Sequence, residues 1–234
     1  MPASLQFALS NPVAGMEKEY NEWYGSDHLA NGVLTPGVLA GQRFGRVKAP
    51  WPAGKHDYMV IWEFDDPAYA LEQLAKTKGS DKMPISPAID MAGIQPPTMW
   101  LRASAFSRAR VPSDNAGRRS CVLALANPAE GQSAQFEDAL LSGGLDRLAN
   151  ANGVRRADLL TLADEQIRNN ARKYAYALLI ELADEAAGIA ALEPMLPALP
   201  HLDRERWMAP VYRPLGPRLT TAHMQPPVTF AASH

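Results

Sequence analysis

Between Glu19 and His28 the sequence EYNEWYGSDH gathers two phenols, an indole, three carboxylates and an imidazole within ten residues. On a helix, Tyr20, Tyr24 and His28 recur every four residues and form one stripe, with Trp23, Asp27 and Asn31 beside it. A stripe that only packed against a core would be aliphatic. An imidazole set among phenols points instead to a pocket for an aromatic or oxygen-bearing small molecule. Histidine exchanges a proton near neutral pH, and Asp27 or a phenol can tune or assist it. The competing reading makes His28 a helix-end residue that meets the negative end of the dipole or caps its carbonyls. Tyr24 can equally be a buried tyrosine that needs only a hydrogen-bond partner, and Tyr20 and Trp23 can be pocket wall or packing.

Two further positions bear on that pocket. Arg43 lies in Gln42-Arg43-Phe44, where an inward guanidinium can grip a carboxylate or enolate with two donors. Alternation puts Gln42 and Phe44 on the other face of that strand, and a surface salt bridge is the competing role for Arg43. Tyr58, Trp62 and Phe64 share one face of a strand, opposite Met59, Ile61 and Glu63, and either face can wall a pocket. The candidate site is therefore His28 and Tyr24 as catalytic groups, with Tyr20, Trp23, Asp27, Arg43 and Trp62 binding substrate. His56 follows a loop at a strand entrance and is expected to be exposed.

Other chemistries lack their residues. One cysteine and five scattered histidines offer no H-x-x-x-H or C-x-x-C spacing, so no metal is expected. There is no glycine-rich phosphate loop with lysine and no GxGxxG after a strand, so no nucleotide cofactor is expected either. The formal charge of -2 gives no basic field for nucleic acid or anionic membranes. No apolar run approaches the roughly 18 residues of a membrane span, and no basic segment precedes an apolar one at the N-terminus. The cytoplasm is the expected compartment, a small-molecule substrate the expected partner, and Cys121, in an apolar run, an expected buried thiol.

The elements that must hold the site occur twice. FALSNPVAG at Phe7 returns as LALANPAEG at Leu123, an offset of 116 residues in a chain of 234. Strands are expected at Ser4 to Ser10, Val38 to Val47, Tyr58 to Phe64 and Thr98 to Ala103. Helices are expected from Met16 to Val33 and from Asp66 to about Lys78. In the second half, strands are expected at Arg119 to Ala126, Val154 to Leu162, Tyr176 to Leu182 and Val211 to Leu215. Helices fall at Ala134 to Asn150 and Asp184 to about Leu192. The fold class is α+β: two tandem ferredoxin-like βαββαβ units whose uncovered sheet faces pack into an intramolecular dimeric alpha-beta barrel. Residues 1-104 form the unit with the site, 105-117 a linker, 118-225 a unit with a degenerate site, and 226-234 a tail. At the repeat offset, Tyr20, Tyr24 and His28 are answered by Phe136, Leu140 and Gly144. The chemistry is thus expected in one half only.

The segment from Glu19 to Leu29, then Thr35-Pro36-Gly37-Val38, then Gln42-Arg43-Phe44, resembles the EthD-like proteins of the dimeric alpha-beta barrel superfamily. These often show a WY-x-x-x-H helix, a Pro-Gly turn and an Arg-Phe strand pair. The resemblance covers about Leu5 to Phe64. It implies a small-molecule isomerase, lyase, cofactor-independent oxygenase or haem protein, and a homodimer of the pseudodimeric chain. Haem relatives hold iron through a histidine in the second half, where this chain offers His201 and His223 near prolines. The leading expectation is an enzyme without cofactor in which His28 transfers a proton on a small apolar or aromatic metabolite, as an isomerase, dehydratase or other lyase. The alternatives are a binding protein for an aromatic metabolite, a cofactor-free monooxygenase and a haem protein.

Overall fold

Runs such as Ser4–Ser10 and Tyr176–Leu182 are buried at every residue, so both faces of the sheet they enter must be covered. The computed structural model describes residues 4–107, 119–164, 166 and 173–224. Its first half contains β1 (Ser4–Ser10), α1 (Glu17–Trp23), α2 (Leu29–Val33), β2 (Val38–Val47), β3 (Tyr58–Phe64), α3 (Pro67–Thr77) and β4 (Gln95–Ser107). The second contains β5 (Cys121–Pro128), α4 (Ser133–Ala139), α5 (Leu145–Ala149), β6 (Val154–Leu162), β7 (Tyr176–Leu182) and α6 (Glu185–Leu192). It ends with β8 (Leu202–Met208), β9 (Val211–Pro214), β10 (Leu219–Thr220) and α7 (Thr221–Met224). None of the described helices is long and apolar enough to cross a membrane.

The strands run β2-β3-β1-β4-β6-β7-β5 in space, and β9 pairs with both β5 and β2. These eight strands close into an antiparallel barrel, which leaves the ring no free edge. One seam is made by β4, which pairs with β1 up to Leu101 and with β6 from Trp100 to Ser107. Serving two partners makes it longer than the expected Thr98 to Ala103, so residues 105–107 of the expected linker are strand. The rest of that linker and the 226–234 tail lie outside the described residues. The other seam uses three short pieces: β8 on β5, β9 on both β5 and β2, and β10 on β2. β8 has no counterpart in the sequence expectations, because its LDRERWM segment exposes a charged centre and lacks apolar alternation.

Alternation then sorts the side chains. Leu5, Phe7 and Leu9 of β1, Met59 and Ile61 of β3, Cys121, Leu123 and Leu125 of β5, and Ala177 and Leu179 of β7 fill the barrel with Phe44, Trp100 and Tyr212. The interior is a packed core, and the opposite faces carry the helices. At the interior face of β3, Glu63 is buried and held by Arg218 through two bonds of 3.1 and 2.7 Å. Asp66 and Asp184 cap α3 and α6 alike, each accepting from the amide three residues on at 3.0 Å. His56 departs from expectation: it is 5% exposed, donating from Nε2 to the Gly93 carbonyl at 3.0 Å, while its own carbonyl accepts from the Tyr212 hydroxyl at 3.1 Å. The connection from α3 to β4 and the strand β9 fold over it, which sequence proximity cannot reveal.

Gly37 and Gly153 occupy matching turns with φ of +87° and +74°, the first against α3 and the second against α6. A Cβ on Gly37 would sit 3.0 Å from Tyr69 and 3.1 Å from Ala70, whereas one on Gly153 would lie 2.3 Å from the Gly188 amide nitrogen. Left-handed backbone alone costs an L-residue about 1–2 kcal/mol, and the backbone clash adds about 1–3. In urea unfolding, Gly37→Ala should therefore lose about 1–2 kcal/mol and Gly153→Ala clearly more.

Candidate active site

α1 does not pass straight into α2. Through Tyr24–His28 the helix widens into a π turn, in which the Leu29 amide donates to the Tyr24 carbonyl five residues back. The second half makes the same five-residue bond, from the Leu145 amide to the Leu140 carbonyl, but there the chain kinks through Gly143 at φ +131°. The wide hydrogen bond is thus common to both halves, while the backbone inside it and the side chains on it differ.

On its sheet-facing side lies an aromatic cage around one cation. Tyr20 stands 5.2 Å from Tyr24 and 4.9 Å from Tyr58 between ring centroids. The Arg43 guanidinium carbon lies 4.7 Å from the Tyr24 ring, 5.7 Å from Tyr20 and 5.8 Å from Tyr58. Arg43 donates from Nη2 to the Asn21 side-chain oxygen at 2.8 Å and from Nη1 to the Asn21 carbonyl at 3.3 Å. Asn21 in turn donates to the Tyr58 hydroxyl at 3.2 Å, and that hydroxyl donates to Glu17. The Tyr20 hydroxyl shares a 2.8 Å bond with Ser10. Burial raises Tyr20 far above the ordinary phenol range and pushes Tyr24 to about 12, against the opposing pull of the Arg43 charge. Both phenols stay protonated at neutral pH.

In front of Tyr24 is a cavity of about 60 Å³. Its polar lining is Gln6, Tyr24, His28 and Lys78, and its aromatic walls are Trp23 and Trp62. His28 stacks 4.2 Å from Trp23 and meets Tyr24 edge-on at 4.9 Å. Burial, with the nearby Lys78 and Arg43 charges, pushes the imidazole down to about 4, so it is neutral at pH 7. His28 Nδ1 and Gln6 Nε2 are buried with no hydrogen-bond partner among the described residues. Such groups are costly unless something satisfies them. The roof is the connection between α3 and β4, through Met83, Ile85, Ile89, Met91 and Ile94. Trp23 donates from its indole nitrogen to the Pro84 carbonyl at 3.2 Å, fastening the roof to the helix.

The cavity brings together four of the seven residues singled out from sequence: His28, Tyr24, Trp23 and Trp62. Trp62 is wedged against two glycines, since a Cβ would come within 2.2 Å of its ring at Gly32 and 2.7 Å at Gly41. Tyr20 is fully buried behind Tyr24, and Arg43 opens on a different cleft with Gly25 and Leu29. Asp27 is exposed and does not line the cavity. Gln6 and Lys78 are lining residues that sequence reading missed. The signal for Gln6 was available: it is the one large polar side chain in SLQFALS, and it shares a face with Ser4, Ala8 and Ser10.

The second half has Phe136 and Leu140 at the matching positions, packed with Leu145 and Leu148 into the apolar cluster between sheet and helices. His201 is exposed and bonded to Gln132, outside that cluster, and the side chain of His223 lies outside the described ones. The described residues there do not fit a haem, which needs a fixed imidazole facing an open pocket.

The depressed His28 sets a sign for acid stability. Between pH 6.5 and about 4 the unfolded chain binds a proton that the folded one refuses, so stability from this group is present above pH 6.5 and lost as pH falls through the window. Urea unfolding at pH 7 and pH 4.5 should show a smaller drop for His28→Gln than for the parent chain. His56, also depressed by burial, remains common to both proteins.

No family model and no curated protein matches the chain. Among solved structures it is similar to an anthrone oxidase-like protein, at 10% identity and a TM-score of 0.64, covering 94% of this chain and 95% of that one. It is similar to a protein assigned as a monooxygenase from Fusobacterium nucleatum, at 10% identity and a TM-score of 0.60, covering 91% and 92%. It is also similar to chlorite dismutase from Candidatus Nitrospira defluvii in complex with imidazole, at 10% identity and a TM-score of 0.52, covering 90% and 91%. At such identities the likeness speaks for the fold alone. The chain has the closed α+β architecture of the dimeric alpha-beta barrel proteins.

Proposed function

We propose that the chain is an enzyme that works without a bound cofactor and moves a proton on a compact, mostly apolar metabolite carrying an aromatic ring or a polarised oxygen. The observation that carries this reading is the pair of unsatisfied buried groups, His28 Nδ1 and Gln6 Nε2, on two residues that line one mostly apolar cavity. A substrate hydroxyl between them would satisfy both, donating to Nδ1 and accepting from the Gln6 amide. His28, neutral across the physiological range, accepts the proton of an acidic C–H or O–H, while the Gln6 amide donates to the oxygen on which charge develops. Because burial disfavours the imidazolium, the proton does not rest on His28 and returns to substrate or leaving group in the same turnover. That suits an isomerisation or a dehydration. Tyr24 remains protonated as a second donor, and Trp23 and Trp62 supply flat walls for a ring.

A cavity of about 60 Å³ is smaller than the roughly 150 Å³ that accepts benzene, so the Met83–Ile94 roof moves aside when substrate enters. The two halves are, in this reading, copies of one ferredoxin-like unit of the EthD-like type. The C-terminal copy has lost its site and serves as scaffold. A second reading follows from the anthrone oxidase-like and monooxygenase-assigned structures of similar fold: the carbanion left by proton loss to His28 reacts with dissolved dioxygen.

Native mass spectrometry of the purified protein identifies a retained metabolite, which then serves as the assay substrate. His28→Ala should lower kcat by about 10²–10⁴-fold with the fold intact by circular dichroism, and Gln6→Leu and Tyr24→Phe by less. Undiminished turnover in His28→Ala sinks the proposal. Tight retention without turnover by the parent chain marks a binding protein instead, and oxygen uptake matched to substrate loss selects the oxygenase reading.

A further inference from the structure

Arg43 is 7% exposed, yet no carboxylate among the described residues pairs with it. Its protein partners are the Asn21 amide and carbonyl oxygens and the faces of three tyrosines, all formally neutral. Arg218, by contrast, is paired with Glu63 and Arg213 with Glu185. A buried cation without a counter-ion is costly, and buried charges are normally paired. Asn21 engages two of the five guanidinium N–H donors and the Tyr20 side chain a further one, which leaves the fork only partly occupied.

The remaining side of Arg43 faces a cleft of about 270 Å³, walled by Leu29, Leu215, Pro217 and Leu219 and floored by Gly25 and Gly216. None of these residues lines the His28 cavity. A Cβ built on Gly25 would stand 3.8 Å from Arg43 Nη1, so the glycine keeps the approach to the guanidinium open. The cleft is thus apolar all round with a single cationic fork at one end. That pattern matches a short monocarboxylate, whose two oxygens take the fork while its hydrocarbon part lies on the leucines.

We infer that the Arg43 cleft is a second ligand site, separate from the His28 cavity, for a small organic monocarboxylate. Tyr24, which lines the His28 cavity only, stands between the two, with its ring against the Arg43 guanidinium and edge-on to His28. It stands independently of the reaction proposed for His28.

Calorimetric titration of the full chain with benzoate tests this, with benzamide as the uncharged isostere. Saturable benzoate binding is expected, with benzamide weaker by at least about tenfold because it cannot supply the anion. Arg43→Gln should weaken benzoate by about tenfold or more. Gly25→Leu, at an exposed position of ordinary backbone conformation, should do the same by filling the cleft without removing the charge. If Arg43→Gln does not fold, Gly25→Leu decides alone. Absence of benzoate binding at millimolar concentration, equal affinity for benzamide, or undiminished affinity in folded Gly25→Leu overturns the inference.

Discussion

Each half-sheet is apolar on both faces, and its own helices can cover only one of them. The second face of each half is buried against that of the other, and Leu5, Phe7, Met59 and Ile61 meet Leu123, Leu125 and Leu179 inside one ring. Hydrophobic burial supplies the drive, at about 25 cal/mol per Å² of apolar surface removed from water. The ring then has to be sealed, because an open edge would leave backbone donors and acceptors unpaired. β4 seals one seam by running past its own half, and β8, β9 and β10 seal the other in three steps. The barrel interior is consequently a packed core, and the His28 cavity lies on an outer face beneath the helices.

On those outer faces the two halves share several backbone features and divide in content. Both carry a five-residue helical hydrogen bond, kinked at Gly143 in the second half, a glycine in left-handed conformation before the next strand and an aspartate cap on the following helix. Where the first half places Tyr20, Tyr24 and His28, the second places Phe136, Leu140 and Gly144. Apolar residues at these positions close the second face into plain core. In the first half, the phenols surround Arg43 on one side and leave an imidazole beside a cavity on the other. One helical turn therefore separates two environments: a histidine with an unsatisfied Nδ1 beside a mostly apolar cavity, and a cation that no acid among the described residues pairs, beside an apolar cleft.

Much of this is legible in the residues themselves. The repeat, strands β1, β3, β6 and β7, and the helix starts at Asp66 and Asp184 follow from periodicity, turn residues and capping chemistry, which act over a few positions. The stripe of Tyr20, Tyr24 and His28 is equally local. The exposed, charged β8 carried no periodic signal, because a strand at the end of a pairing chain need not alternate. The extension of β4 to Ser107 depends on a partner, β6, that lies some fifty residues further along.

What the sequence by itself determined was the recurrence of one short segment at an offset of 116 residues and the confinement of the Tyr20, Tyr24 and His28 stripe to its first occurrence. Composition and short-range spacing are enough for that. Which of those side chains share a cavity was decided only by tertiary structure. Arg43, expected beside His28, faces away from it because strand register and the π turn put Tyr24 between them. Gln6 joins His28 because β1 passes beneath the helix. The roof over both comes from a segment some fifty to sixty residues downstream of His28, and no local rule of propensity or periodicity reaches that far.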